Sequence, residues 1–321
     1  MILWVIGSGG LFGSAVVRAA QSQDWPIFEG SSIPWNDPHQ AISVIRADAA
    51  RLAHSLRNDQ SWGIVWAAGR ATTASTQAEA DGELSLFTRA VDAIRVELDT
   101  HGNGAFLLAS SAGAVYAGSE NPPFDSNTTP KPIGIYGDLK RQQEITAEQV
   151  LGKRMQVVVA RIANLYGPGQ DLGKLQGLIS RIALAAINKH PLMMFVPLDT
   201  LRDYIYVDDA AHWALHWITT ASRTLNVRIV ASGSVTNLGY IINQMKQITR
   251  TQIPIAYGAH PSAAVQARDL RLIPDTSAEP TTVTTTSLPA GMKVVYTDIL
   301  LRHQDGRQAP AGGLLRGLLH T

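Results

Sequence analysis

Tyr136 and Lys140 stand four residues apart in Tyr136-Gly-Asp-Leu-Lys140. On a helix that spacing brings both side chains to one face, a turn apart, so a phenol and an ammonium address one site. A neighbouring cation stabilises phenolate and is expected to lower the tyrosine pKa from its ordinary value of about 10. Such a pair suits a general acid/base that moves a hydroxyl proton while hydride leaves the same carbon. No other Tyr and Lys in the chain share the spacing. The strand-like run Gly104-Ala-Phe-Leu-Leu-Ala-Ser-Ser111 ends in two hydroxyls, and Ser110 or Ser111 would hold the substrate oxygen. Either serine would also serve as an ordinary cap of the next turn.

A second chemistry sits near the start of the chain. The apolar run Met1-Ile-Leu-Trp-Val-Ile6 leads into Gly7-Ser-Gly-Gly-Leu-Phe-Gly13 and then a helical segment. Gly7, Gly10 and Gly13 have the spacing G-x-x-G-x-x-G, with Leu11 and Phe12 inside it. Glycine lets the backbone approach a pyrophosphate, and the helix start offers free N–H groups and a positive dipole end. In its strand–turn–helix context the run reads as a dinucleotide site, the alternative being a tight βα loop. After the second strand, Glu29 would accept bonds from a ribose and repel a 2′-phosphate, whereas Ser31 and Ser32 would do the opposite with no arginine beside them. Both NAD and NADP stay open, with NAD slightly favoured. Asp48, followed by Ala49, is expected after a third strand, bonded to adenine or capping the next helix. Ala67-Ala68-Gly69 would bring small side chains to where the cofactor crosses the sheet; a tight turn is the alternative there.

These groups need elements to position them. Strands are expected at Ile2–Ile6, Pro26–Glu29, Ser43–Arg46, Gly63–Ala67, Gly104–Ala109 and Gln156–Arg161, and helices at Phe12–Gln21, Ala49–Arg57, Leu84–Thr100 and Tyr136–Val150. Strands apolar on both parities that alternate with helices predict an α/β fold, a doubly wound parallel (Rossmann) sheet. Beyond Tyr166-Gly-Pro-Gly169 the rhythm changes. A helix is expected at Lys174–Lys189, an extended piece at Pro191–Pro197 and a helix at Ala210–Thr219 capped by Asp208 or Asp209. Then come a strand at Leu225–Ala231, a helix near Leu238–Thr249, a short strand at Ile253–Tyr257 and an ordered loop to a helix opened by Ser287-Leu-Pro-Ala. The division expected is a dinucleotide-binding domain at 1–166 and a smaller mixed, mainly substrate-binding domain at 167–321, with part of 203–232 packing back on the first.

Composition narrows the classes. The chain has 321 residues, 45% hydrophobic and 17% charged, with a formal charge of +1, so a broad nucleic-acid or acidic-membrane surface is not expected. The absence of cysteine excludes disulfides, thiolate metal sites and a catalytic thiol. No apolar run approaches the ~18 residues of a membrane span. No charged region precedes the N-terminal apolar run, so no secretory leader is expected and the cytoplasm is the expected compartment. His212 and His216 share an i, i+4 spacing, but the Trp-Ala-Leu between them carries no glutamate and no third ligand is evident, so no metal is expected. The tryptophans and methionines read as core and pocket walls. Leu314–Leu319 reads as a docked or frayed amphipathic tail rather than a membrane anchor.

In their order along the chain these motifs resemble the extended short-chain dehydrogenase/reductases, specifically the nucleotide-sugar epimerase/dehydratase family. The resemblance covers nearly the whole chain: the glycine turn, Ser110-Ser-Ala-Gly-Ala-Val-Tyr116, Asp125-Ser-Asn-Thr-Thr-Pro-Lys-Pro132, Tyr136 and Lys140 with Glu144 behind them, Arg161-Ile-Ala-Asn-Leu-Tyr-Gly-Pro-Gly169, Arg202-Asp-Tyr-Ile-Tyr-Val-Asp-Asp209 and Ser287-Leu-Pro-Ala-Gly291. It implies that Tyr136 is the catalytic base and acid, that Lys140 binds the nicotinamide ribose and tunes Tyr136, and that Ser111 orients the substrate hydroxyl with Ser110 as second candidate. It also implies that Ser110 and Ile162 border the cofactor and that Asn164 and Arg202 contact a nucleotide diphosphate, to which an arginine fork is suited. A structural salt bridge of Arg202 with Asp203 is the competing reading.

Three departures stand out: Ala112 and Gly113 follow Ser111 where dehydratases keep an acid pair, the helix Glu83–Ala93 lacks the family's usual asparagine, and Arg268 is off the familiar spacing. The implied activity is an NAD(P)-dependent epimerase acting on a nucleotide sugar by transient oxidation and hydride return. The alternatives are an NADPH-dependent carbonyl reductase and a non-catalytic dinucleotide-sensing protein. A homodimer through the helices at 84–100 and 136–150 is also implied.

Overall fold

The computed structural model describes residues 1–57, 59–173, 177–220, 225–259, 263, 266–275 and 285–306. The first half runs β1 (Ile2–Ile6), α1 (Leu11–Gln21), α2 (Pro38–Ser55), β2 (Trp62–Trp66), α3 (Gln77–Leu98), β3 (Gly104–Ser111), α4 (Ala112–Val115), α5 (Ile135–Leu151) and β4 (Gln156–Ile162). The second runs β5 (Asn164–Tyr166), α6 (Leu178–Asn188), β6 (Leu192–Met194), β7 (Leu201–Tyr206), α7 (Val207–Thr220), β8 (Asn226–Val230), β9 (Val235–Asn237), α8 (Leu238–Thr249), β10 (Ile255–Tyr257) and α9 (Leu288–Gln304).

A five-stranded sheet in the order β1-β2-β3-β4-β8 organises the molecule, and every pairing in it is parallel. Successive side chains alternate faces. Leu107 and Val158 therefore meet α1 and α7 on one side, with Ala15, Val16, Trp213 and Trp217. Phe106 and Val157 meet α2, α3 and α5 on the other, with Ile45, Leu52, Phe87 and Leu151. Each such side chain contributes roughly 1.5–3 kcal/mol on full burial. This is the doubly wound architecture read from the sequence. A third core gathers α6, α8 and α9 around Ile182, Met245 and Val295, beside the small sheet β5-β7-β9. The α7–β8 stretch returns to the first sheet: α7 lies in the core with α1, and β8 pairs with β4.

Two expected strands are different. Ser43–Arg46 lies inside α2, which starts at Pro38 behind an Asp37 cap accepting the His39 and Gln40 N–H groups, both at 3.0 Å. Its buried residues Ala41, Ile42, Ile45, Ala49 and Leu52 recur at helical spacing, so β-branched Val44 and Ile45 did not decide the conformation. Pro26–Glu29 forms only one bridge, Ile27 to Leu3. The helix expected from Lys174 is described from Leu178, and residues 174–176 lie outside the described residues. So do 276–284 of the expected ordered loop and the tail Leu314–Leu319. No helix among the described residues is long and apolar enough to cross a membrane.

Candidate active site

At the C-terminal edge of β1 the glycine turn is fixed by close backbone packing. Gly7 has φ +92°, and a Cβ there would stand 2.6 Å from the Ala68 nitrogen. A Cβ on Gly13 would stand 2.2 Å from the Gly7 oxygen, so α1 can approach the turn only without one. Gly10 caps α1 without a side-chain bond, leaving the first-turn N–H groups of Leu11 and Phe12 open to an anion. The Phe12 side chain itself is buried in the core with α7. In front of the turn lies a cleft of about 560 Å³, walled by Gly7, Gly10, Trp35, Trp66 and the Ala67–Ala71 segment. Its size and bare glycine edge fit a dinucleotide.

The residues behind the second strand are arranged otherwise than expected. Asp48 follows no third strand and caps no helix. It sits within α2, 1% exposed, where Oδ2 and Oδ1 accept the Ser31 N–H at 2.7 Å and hydroxyl at 2.8 Å. Ala49 faces the core rather than a ligand. An arginine does stand beside these serines. Arg51 donates to Asp48 at 2.6 Å, to the Ser31 hydroxyl at 3.3 Å and to the Glu29 carbonyl at 3.3 Å. Arg51 reaches them because α2 occupies the place assigned to a strand.

The chemical groups converge at the ends of β3 and α5. Ser111 caps α4, accepting the Ala114 N–H at 3.3 Å, and its hydroxyl stands close enough to Tyr136 to favour the phenolate. Ser110, on the opposite face of the strand, is buried and donates to Glu144 Oε1 at 2.6 Å. Its hydroxyl is thereby turned away from the cleft. Glu144 is held in turn by Arg161, and Arg161 Nη1 donates to the Tyr116 hydroxyl at 2.6 Å. Ile162 ends β4 directly opposite Ser111.

Lys140 Nζ lies 5.8 Å from the Tyr136 ring centre, so phenol and ammonium share a face. The expected lowering of the Tyr136 pKa does not occur. Burial, joined by the Glu83 carboxylate, pushes it up to about 12 against the pull of Ser111. Burial also draws the Lys140 pKa down, opposed by Glu83 and Glu144. Desolvation disfavours both ions and is the largest influence on each.

Asn164 and Arg202 come to the β5–β7 edge of the small sheet. Asn164 Nδ2 donates to the Asp203 carbonyl at 2.9 Å. Arg202 is 6% exposed and donates through Nη1 to the Leu201 carbonyl at 2.8 Å. Asp203 does not pair with it, but accepts the Ser232 N–H at 2.8 Å. Arg268 pairs with Asp199. His212 Nδ1 lies 2.7 Å from the Asp208 carbonyl, within its own helix. Sequence reasoning missed Arg51, Glu83 and Gln143. Arg51 and Gln143 each have one partner three residues away, Asp48 and Lys140, but their other partners and those of Glu83 lie 12 to 60 residues along the chain, and the one signal available was the missing asparagine in the helix of Glu83.

A family model described as NAD dependent epimerase/dehydratase matches residues 3–231. A dTDP-L-rhamnose 4-epimerase of Burkholderia thailandensis is 25% identical over 119 residues, 36% of this chain and 33% of that protein. A dTDP-4-dehydro-6-deoxyglucose reductase of Escherichia coli is 33% identical over 107 residues, 32% of this chain and 33% of that protein. In these two matches the chain thus spans about a third of the length of its curated relatives. The structure of a UDP-glucose 4-epimerase of Thermotoga maritima with UDP-glucose superposes with a TM-score of 0.78 at 21% identity, covering 94% of this chain and 100% of that one. At that identity the likeness speaks for the fold.

Proposed function

The chain belongs to the NAD dependent epimerase/dehydratase family, and from that premise we propose that it is an epimerase acting on a nucleotide sugar. The observation that carries the reading is the meeting of Ser111, Tyr136 and Lys140 beside the glycine-edged cleft. A dinucleotide held at the Gly7–Gly13 turn would supply the hydride acceptor and donor for the sugar carbon. Tyr136 takes the hydroxyl proton of that carbon and later gives it back, with Ser111 holding the oxygen. Lys140 supplies positive charge at the phenol and reaches the cofactor ribose. Arg202 and Asn164 hold the diphosphate, which leaves the sugar free to present either face. In this reading residues 1–166, with the returning α7 and β8, bind the dinucleotide and residues 167–321 mainly the sugar nucleotide.

Ala112 and Gly113 follow Ser111 without a carboxylate, which supports epimerisation or reduction over loss of water. Carbonyl reduction is the second reading, favoured by the raised pKa of Tyr136, because a phenol held protonated is a proton donor. Denaturing the purified protein and weighing the released nucleotide separates the two. Stoichiometric NAD, with interconversion of a sugar nucleotide by the native protein, is the expected result. An empty protein that takes up and exchanges NADPH would replace epimerase by reductase. Binding of neither cofactor would end both readings.

A further inference from the structure

Two side chains outside the expected catalytic set reach Lys140 in series. Gln143 is wholly buried, and its Oε1 accepts from Lys140 Nζ at 3.0 Å. The Gln143 Nε2 donates in turn to Glu83 Oε1, on the neighbouring helix α3, at 3.4 Å. One amide carries both acceptor and donor, so the chain runs ammonium, amide, carboxylate with every group in its proper role. Glu83 is fixed at its far end as well. Its Oε2 accepts the Arg70 and Ala71 N–H groups at 2.8 and 2.9 Å, on the segment that walls the dinucleotide cleft. Between these groups stands Gly69. A Cβ there would lie 3.1 Å from Glu83 Oε1 and 3.6 Å from Lys140 Nζ, so the bare glycine lets carboxylate and ammonium border the same space.

The other groups around Lys140 leave this carboxylate a distinct task. Its own helix contributes Tyr136 and Glu144 and α3 contributes Glu83, while the Arg70 guanidinium, on the turn after β2, donates to Asn36 instead. β3 contributes the neutral Ser110 and Ser111 and the Ala109 carbonyl at 3.5 Å. Glu144 accepts from Arg161 of β4, Arg141 and Ser110, and Tyr116, the C-cap of α4, accepts from Arg161. The acid with a bonded path to the ammonium is Glu83.

We propose that Glu83, acting through Gln143, is the positioning residue of Lys140, holding it charged and tying its place to the cleft wall at residues 69–71. Burial lowers the Lys140 pKa and the Glu83 charge raises it, so neutralising Glu83 makes Lys140 lose its proton at lower pH. The inference rests on the dinucleotide reading of the cleft and is independent of which reaction follows.

NADH fluorescence titrations of the full chain between about pH 6 and 10 test it. In the parent, affinity falls as Lys140 deprotonates. E83Q should move that midpoint down by about one pH unit, a tenfold change in proton affinity. E83D, which keeps the charge, should restore it, and K140M should show no midpoint. An unshifted midpoint in E83Q, or an equal loss of affinity at every pH, overturns the proposal. If E83Q does not fold, E83N neutralises the same carboxylate and is read identically. A parent that binds no NADH overturns both this proposal and the dinucleotide reading. A shifted midpoint in a protein with no epimerase activity upholds the proposal and removes only the epimerase.

Discussion

Arg161 and Glu144 make a two-point ion pair, 3.0 Å at Nε and 2.7 Å at Nη2, with the side chains 3% and 2% exposed. The pair joins β4 to α5, and Ser110 of β3 closes on the same carboxylate. The helix that carries Tyr136 is thereby registered against the strand that ends in Ser111. Removing one partner leaves a buried charge without its counter-ion. E144A should cost about 3–5 kcal/mol of stability in urea unfolding, and an apolar replacement of both partners should cost much less. A loss below about 1 kcal/mol in E144A would mean that water already reaches the pair.

Tyr136→Phe keeps the ring and deletes the proton carrier. Turnover should fall by a factor of about 10² to 10⁴, while NAD binds as before. Calorimetry and a sugar-nucleotide assay on one preparation check both halves. Unchanged turnover would remove Tyr136 from the chemistry.

Gly7→Ala forces a side chain into the backbone of Ala68 at φ +92°. About 1–3 kcal/mol of stability should be lost, with dinucleotide affinity reduced alongside. Gly9→Ala is the contrast, because a Cβ there meets nothing within 4 Å and should leave stability intact. Equal melting points for the two variants would count against the packed turn.

Asp203 is fully buried, and burial holds its pKa above the ordinary 3.8 despite N–H groups from Ser232, Gly233 and Ser234. A raised carboxyl pKa stabilises the fold at acid pH, and that contribution is lost as pH rises through the folded-state value. The neutral D203N should therefore gain stability relative to the parent between about pH 4 and 7. Melting temperatures at the two ends read it, and a constant difference would place the charge outside the balance.

The strands β2, β3 and β4 were legible because buried parallel strands are apolar on both parities. Tyr136 and Lys140 were legible because a helix turns their spacing into a shared face. The third strand was misread: Val44 and Ile45 favour a strand locally, whereas Asp37-Pro38 and the buried i, i+3/i+4 positions of α2 had the greater weight. The pairs Ser31–Arg51 and Glu83–Gln143 could not be read at all. They depend on how separate elements pack, and no local spacing encodes that. The pKa of Tyr136 was missed for a related reason, since a neighbour's charge shows in the sequence and desolvation does not.

The pairing of β8 with β4, and the packing of α7 over α1, also govern how this protein is made. Synthesis delivers residues 1–166 before either support exists. Until residue 230 has emerged, β4 is an open edge, and until α7 has emerged the side of α1 that packs on it is bare. The nascent first half must therefore wait, partly unsealed, for a segment encoded after β5, α6, β6 and β7. Severing the gene at the apparent boundary would yield a sticky fragment rather than a free-standing module.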